Sequence, residues 1–484
     1  MLRIVPPMGC QSNNATPPGP AIAPGAESLD AMHIAETIGS GRHRDWSGAA
    51  NPRVTHAVPG FDAPFFQAGL AGYSDAAMRI VARRHGCPYC VTEALLDRTL
   101  LAGGRGFVKA DLGELHDNVP GGAEDHPLAV QIMGSDPQEM AAAAIKAIEQ
   151  GKRTDKAYRA LAYSHLTHDP SGALVKYKPE DFEPADGNAD GEYEDIACGD
   201  DEEEATESQS HEGTNSLTHT SLSSLQSGAP SATPAFASPS IALSFSTVDV
   251  NLACPVKKIK SKARGGHWLA EPDGAIKILE AVREAVPAHI PCTVKLRRSF
   301  DDTPEMVQAF NRIFDAAYDM GYAWATVHAR TVEQKYVGPS RWDLLREIVN
   351  RNPDRVVFGS GDIWNVHDLF RMLAYTGVSA VAVARGCIGN PWIFRQARMM
   401  LAGSEPTRPT IPEQRDVLEQ HYRLALAANR RMRHPDDYTS KNMRKFGIRF
   451  AEHHPDSEQV RLRFIAVKGI EDWRRVLQDH YTQA

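Results

Sequence analysis

Cys292-Thr293-Val294-Lys295-Leu296-Arg297, a helical pattern over 304–320, then Ala323-Trp324-Ala325-Thr326-Val327-His328: this stretch decides the fold. Two short runs rich in β-branched and aromatic residues flank a segment at helical spacing, which is the pattern of a β-α-β unit with parallel strands. The pattern extends both ways. Upstream lie candidate strands at 63–68, 90–94, 128–133 and 246–251, and downstream at 355–359 and 379–384. Helical spacing at 74–86, 137–150, 272–286, 340–350, 365–376 and 388–402 separates most of them.

Eight alternating units predict an α/β fold, a TIM (β/α)8 barrel over 61–402, with its chemistry at the C-terminal ends of the strands. Residues 1–60, rich in Pro, Ala, Gly, Ser and Asn without a sustained period, are expected to be a disordered leader. One unit of the barrel is interrupted. Residues 180–207 are dense in Asp and Glu and hold no Lys or Arg, and 208–240 are mostly Ser, Thr, Ala, Pro and Gly. Such composition buries too little apolar surface to offset its ordering entropy, so 152–243 is expected to be a disordered tether. From 403 to 484 the pattern turns wholly helical. There Arg430, Arg431, Arg433, Lys441, Arg444, Lys445 and Arg449 stand against only Asp436 and Asp437, a balance that suits a phosphate backbone or a solvated helix surface. The net charge of −8 argues against a nucleic-acid partner only as an average, because the acidic segment carries much of it.

No run reaches the roughly 18 apolar residues that cross a membrane, and the N-terminus lacks the apolar core of a secretory signal. Seven cysteines at irregular spacing do not make a disulfide framework, so a reducing cytoplasm is the expected home. Cys87-Pro88-Tyr89-Cys90 follows a helix and enters a strand, whereas a thiol–disulfide redox pair opens a helix. A metal would need two further ligands, and no second such pair exists, so no metal is expected. No segment requires an obligate protein partner.

Several residues sit where barrel chemistry would lie. Cys254 closely follows the fourth strand; a buried structural role is the commoner fate of a cysteine, while a catalytic thiol would occupy this place. Lys257 and Lys258 follow it, available to phosphate. Lys295 lies inside an otherwise apolar strand and needs an anionic partner there, a flavin, a phosphate or a carboxylate. His328 ends the next strand. Ser360-Gly361-Asp362 and Ala384-Arg385-Gly386 follow strands seven and eight, the phosphate-binding loops of this fold, and Arg385 offers a planar fork to an anion.

Asp249-Val250-Asn251-Leu252-Ala253-Cys254-Pro255-Val256-Lys257-Lys258 resembles the D-I-N-x-G-C-P-V-K-K signature of the tRNA-dihydrouridine synthases. Ala71-Gly72-Tyr73-Ser74-Asp75, Thr92-Glu93, Val130 to Ser135, Val294 to Arg297, Val327 to Thr331 and Gly389 to Phe394 support the match in order and spacing. It covers about 63–150 and 244–480. The segment 284–291 looks like the bacterial C-type branch. The resemblance implies an FMN-binding barrel with a helical tRNA-binding domain, and NADPH or NADH as reductant. Carried over by position, Gly69, Leu70 and Ala71 would pass under the isoalloxazine. Gln131, Lys295 and His328 would meet the flavin. Ser360, Gly361, Asp362, Ala384 and Arg385 would hold its phosphate end. Lys257, Lys258, Arg430, Arg431, Arg444 and Lys445 would face tRNA. A uridine flipped from the tRNA would be reduced at C5–C6, with Cys254 as the general acid.

Some positions depart from the family pattern. Its A-P-M-A-G is Ala68-Gly69-Leu70-Ala71-Gly72 here, its N-G-D is Ser360-Gly361-Asp362, its G-R is Ala384-Arg385, and its R-K-H is Arg444-Lys445-Phe446. Two alternatives follow from the residues. One is an FMN barrel reducing a small molecule, as in dihydroorotate dehydrogenases or old yellow enzymes, which would not need a basic helical domain. The other is a tRNA-binding protein that has lost its flavin, which would not need Cys254, Gln131, Lys295, His328 and Arg385 together.

Overall fold

The structure is a computed structural model that describes residues 50–102, 123–151, 245–256, 265–429 and 432–482. The tether expected at 152–243, most of the expected leader, and Lys257, Lys258, Arg430 and Arg431 lie outside the described residues.

Eight parallel strands close into a barrel in chain order, and β1 pairs with β8. They are β1 (Phe65–Gln67), β2 (Cys90–Leu96), β3 (Leu128–Met133), β4 (Thr247–Leu252), β5 (Cys292–Arg297), β6 (Trp324–His328), β7 (Val357–Ser360) and β8 (Ala380–Val383). The fold class expected from the sequence is the one observed. Around the barrel lie α2 (Ala76–Arg84), α3 (Asp97–Ala102), α4 (Pro137–Gly151), α5 (Pro272–Ala285), α6 (Pro304–Asp319), α7 (Trp342–Arg351), α8 (Val366–Thr376) and α9 (Trp392–Leu401). α1 (Pro52–Ala57) comes before β1.

Two-residue alternation along each strand sorts the side chains. Leu128, Val130, Ile132, Val248, Val250, Cys292, Val294, Leu296, Ala325 and Val327 join one apolar cluster with the helices. The residues between them face the barrel interior, where Gln131, Asp249, Thr293, Lys295, Trp324 and Thr326 line one cavity. A second apolar cluster fills the floor: Phe61 stacks on Tyr89 at 4.7 Å between centroids and meets Phe66, Trp324 and Phe358 edge-on.

That floor corrects the boundary of the leader. Residues 50–60, expected to be disordered, include α1, whose N-terminus Asn51 caps by accepting from Arg53 N. Val54, Val58 and Phe61 are buried against the barrel floor. Burying three such side chains stabilises by several kcal/mol, at about 1.5–3 kcal/mol each.

Four helices follow the barrel: α10 (Ile411–Ala428), α11 (Pro435–Phe450), α12 (Ser457–Ile465) and α13 (Ile470–His480). Thr410 and Glu413 form a reciprocal capping box at the start of α10. α10 packs on α2. The end of α11 seats on the loop after β8, where a Cβ added to Gly389 would lie 2.7 Å from Arg449 Cβ and from Phe450 N. Among the described residues no helix is long and apolar enough to cross a membrane.

Candidate active site

The inward faces of β3 to β6 are stacked in register: Gln131 pairs with Asp249 and Asp249 with Thr293, while Lys295 pairs with Thr326 and Arg297 with His328. The apolar floor therefore gives way upward to amides and carboxylate, and then to cations and the loops. Lys295 is half-buried, and no hydrogen bond or ion pair holds it among the described residues. Burial and the Arg297 charge lower its ammonium pKa to about 8, against the opposing pull of Asp249.

Arg297, two residues on, extends the same inward phase. Its Nε donates to Ala253 O at 2.9 Å, and its Nη1 donates to Thr331 O at 2.7 Å and to Lys335 O at 2.6 Å. It thereby ties the peptide before Cys254 to the loop after β6. Desolvation lowers its pKa to about 10. Cys254 is the one half-buried thiol among the described cysteines; Cys87, Cys90, Cys292 and Cys387 are buried. Asn251 Oδ1 accepts from Cys254 N at 3.1 Å, and Gly266 N donates to Cys254 O at 2.8 Å, so the loop is held from both sides.

His328 is pushed well below the usual imidazole range, first by burial and then by the charges of Arg297, Lys295, Arg330 and Arg385. It is a neutral ring in a cationic corner. Its Nδ1 lies 3.4 Å from Ser360 Oγ and its buried Nε2 has no hydrogen-bond partner among the described residues. Arg330 Nη1 and Ser340 Oγ, also buried, lack partners too. Gly361 sits at φ +123°, and a Cβ there would lie 2.1 Å from Ser340 Oγ and 3.1 Å from His328 Cε1. Three unspent polar atoms around a glycine backbone make a cradle for an anion.

Asp362, expected at the phosphate end of the flavin, has its carboxylate engaged within the protein. Both carboxylate oxygens accept from Arg330 Nη2 at 2.7 Å, and one accepts from Ser340 N at 2.8 Å. Its carboxylate thus orients the guanidinium and the Ser340 loop. Arg385 lies 3.6 Å from it and stacks over Trp364 and Tyr336, at 4.5 and 5.3 Å to the ring centroids. Tyr336 is exposed between Arg385 and Arg297. Ala384 precedes Arg385 at φ −102° and ψ −104°, outside the main α and β regions of the backbone.

On the β1 side, Gly69 permits a close approach: an added Cβ would lie 2.2 Å from Thr92 O. Leu70 and Ala71 follow in a turn in which Ser74 N donates to Leu70 O. Gly72 N donates to Glu93 Oε2 at 2.7 Å, and Lys445 Nζ of α11 donates to Gly72 O. Lys445 also lies over the Tyr73 ring at 4.9 Å. Lys445 therefore clasps this loop, while Arg444 beside it is exposed with no partner among the described residues.

The sequence placed Cys254, Gln131, Lys295, His328, Ser360, Gly361 and Arg385 around one mouth, and the structure brings them together there. Arg297, Arg330, Ser340 and Tyr336 were not singled out. Two-residue phase from Lys295 and from His328 would have found the two arginines. Cys87 and Cys90 are buried with sulfurs 3.8 Å apart, between barrel and helices and away from this mouth. Among the described residues no cluster of His, Cys, Asp or Glu is arranged to hold a metal.

Comparison with known proteins supplies the lineage. The dihydrouridine synthase family model matches residues 66–154 and 202–475, more than half of the chain. A probable tRNA-dihydrouridine synthase of Mycobacterium tuberculosis is 33% identical over 183 residues, 37% of this chain and 46% of that protein. Another from Treponema pallidum is 31% identical over 241 residues, 48% of this chain and 68% of that protein. A third, from Rickettsia conorii, is 34% identical over 180 residues, 37% of this chain and 53% of that protein. The chain spans about half the length of most of these curated relatives. Among solved structures, morphinone reductase aligns over 72% of this chain and 89% of its own, at 11% identity and a TM-score of 0.35, a likeness too distant to bear on function. On the family match and the Treponema relative, the chain belongs to the dihydrouridine synthase family.

Proposed function

We propose that this chain is an FMN-dependent tRNA-dihydrouridine synthase that draws its electrons from NADPH and uses Cys254 as the proton donor. The observation that carries the reading is the mouth itself. A half-buried thiol stands near Lys295 and Arg297, with Arg330 and Arg385 joining them around His328, and with unspent polar atoms on His328, Arg330 and Ser340. FMN fits these residues. Ser340, Arg330, Gly361 and Arg385 would hold its phosphate, and Lys295, Gln131 and His328 the polar edge of its ring, with Gly69, Leu70 and Ala71 below. When bound, reduced FMN supplies hydride to the substrate.

The chain's own residues do the rest. A flipped uracil needs a proton at C5 as its C6 gains hydride. Cys254 Sγ–H gives that proton: the S–H bond breaks, the C5–H bond forms, and the thiolate left behind is close to the charges of Lys295 and Arg297. Asn251 and Arg297 keep the thiol loop in place. Tyr336, exposed between two guanidiniums, offers a flat face to a base. Lys441 and Arg444, exposed on α11, offer charge to the phosphate backbone. The domain division follows the same reading: a barrel with its α1 floor over 50–402, a helical RNA-binding part over 403–484, a tether over 152–243, and cytoplasmic action on tRNA.

Absorbance of the purified protein tests the cofactor: flavin bands after addition of FMN are expected, and their absence sinks the enzyme reading. Loss of dihydrouridine from one tRNA position on deletion of the gene tests the substrate. Retention at every position refutes it.

A further inference from the structure

Three side chains form a directed chain beneath the thiol. Asn251 Oδ1 accepts from the backbone amides of Ala253 and Cys254, at 2.9 and 3.1 Å. Backbone N–H groups only donate, so this fixes which end of the Asn251 amide faces them. Its Nδ2 must turn the other way, where it donates to Gln131 Oε1 at 2.7 Å. Gln131 Nε2 then faces Asp249 Oδ2, at 2.7 Å. The second carboxylate oxygen, Oδ1, accepts from Thr293 Oγ1 at 2.6 Å. Asp249, Gln131 and Thr293 are all buried on paired positions of β3, β4 and β5.

Burial raises the Asp249 pKa, while the hydrogen bonds from Thr293 and Gln131 and the Lys295 charge oppose that rise and favour the carboxylate. A carboxylate accepts and an amide does both, so polarity in such a chain is set by its ends. We propose that Asp249 is a positioning residue for the reaction: as the chain's acceptor-only end, it forbids Gln131 from turning over. It thereby holds Asn251 in the one orientation that latches the Cys254 loop. This rests on the reading of Cys254 as the reacting thiol, but the latch itself is independent of turnover.

The substitution Asp249→Asn would remove the constraint. If the new amide nitrogen faced Gln131, the Gln131 amide would reverse and meet Asn251 donor to donor. Asn251 would then reverse in turn and unlatch the amides of Ala253 and Cys254. If the new amide oxygen faced Gln131, the native polarity would survive: the Thr293 hydroxyl would accept from the new amide nitrogen and its own proton would lose its acceptor. Two polarities would coexist where the wild type has one. Adding Gln131→Glu to Asp249→Asn restores an acceptor-only group one position along. The carboxylate now at position 131 accepts from both neighbours, Thr293 donates to the amide oxygen at position 249, and Asn251 is returned to its native orientation.

The test is the alkylation rate of Cys254 by iodoacetamide in the full-length, FMN-loaded protein, read by mass spectrometry of its peptide. Asp249→Asn should change that rate about fivefold, the population shift worth one net hydrogen bond. It should also lower kcat more than it raises KM for tRNA, and Gln131→Glu/Asp249→Asn should return the alkylation rate to wild type. An unchanged rate in Asp249→Asn overturns the proposal, as does a double variant no nearer to wild type than the single. If the single variant does not fold, the double variant decides: wild-type alkylation supports the latch and a fivefold departure refutes it. A protein that takes up no FMN would instead fail the cofactor reading, and alkylation of the unloaded chain would still report on the latch.

Discussion

Replacing Gly361 by alanine should close the anion cradle. At φ +123° this residue occupies backbone space that L side chains rarely enter. The new Cβ would meet Ser340 Oγ at 2.1 Å, Ser340 Cβ at 3.0 Å and His328 Cε1 at 3.1 Å. Rotating the Ser340 hydroxyl relieves only the first of these contacts. The strained backbone costs about 1–3 kcal/mol, and overpacking adds about 1–3 kcal/mol. The loop can shed most of this by moving away from His328, which separates the atoms that would hold the phosphate. A loss of about 2 kcal/mol on the ligand side corresponds to about thirtyfold in affinity. Titration of the protein with FMN, followed by quenching of flavin fluorescence, measures it. We expect the Kd to rise at least about thirtyfold while the melting temperature falls by only a few degrees. A Kd within threefold of wild type, with the fold intact, would show that FMN does not use this corner.

Lys445→Met should weaken FMN binding in the absence of RNA, because Lys445 holds Gly72 O and packs over Tyr73. Arg444→Ala should instead leave FMN binding alone and reduce the salt slope of tRNA affinity by about one unit, as loss of one phosphate contact does; the reverse pattern would return Lys445 to the RNA surface. His421 in α10 is buried against Phe446, and desolvation lowers its pKa to about 4. The unfolded chain takes up this proton near pH 6.5 and the folded chain resists it, so stability is whole above about pH 6.5 and falls as pH drops toward 4. The loss is about 3 kcal/mol, and melting curves of His421→Leu should be flatter than wild type across that window; parallel curves would refute the assignment. Gly151 and Phe245 touch, since a Cβ on Gly151 would lie 2.6 Å from the Phe245 ring. Replacing 152–243 by a short Gly-Ser linker should therefore leave melting temperature and FMN affinity unchanged, and aggregation of that variant would contradict the tether.

The barrel was legible because alternation and helical spacing are local, and all eight strands fall within two residues of where those patterns place them. α1 was not, since its composition is that of a leader and its burial rests on Val54, Val58 and Phe61 meeting an aromatic floor assembled from distant strands. In the site, Cys254, Lys295 and Arg385 stood out as chemistry at strand ends. The task of Asp362 did not, because its partner Arg330 lies 32 residues away and only the closed barrel brings the two together. Lys445 shows the same limit more sharply: a basic run reads as RNA-facing, yet its neighbours in space are Gly72 and Tyr73, 373 residues from it in the case of Gly72.

The central claim is that this chain reduces uridine in tRNA with Cys254 as the acid. The direct measurement is dihydrouridine formed in unmodified tRNA by FMN-loaded protein and NADPH, for wild type beside Cys254→Ala. The account predicts product at a defined position with wild type, and none with Cys254→Ala, although that variant keeps its flavin. Flavin-loaded wild type that oxidises NADPH yet forms no dihydrouridine, or a Cys254→Ala protein that turns over undiminished, would contradict it.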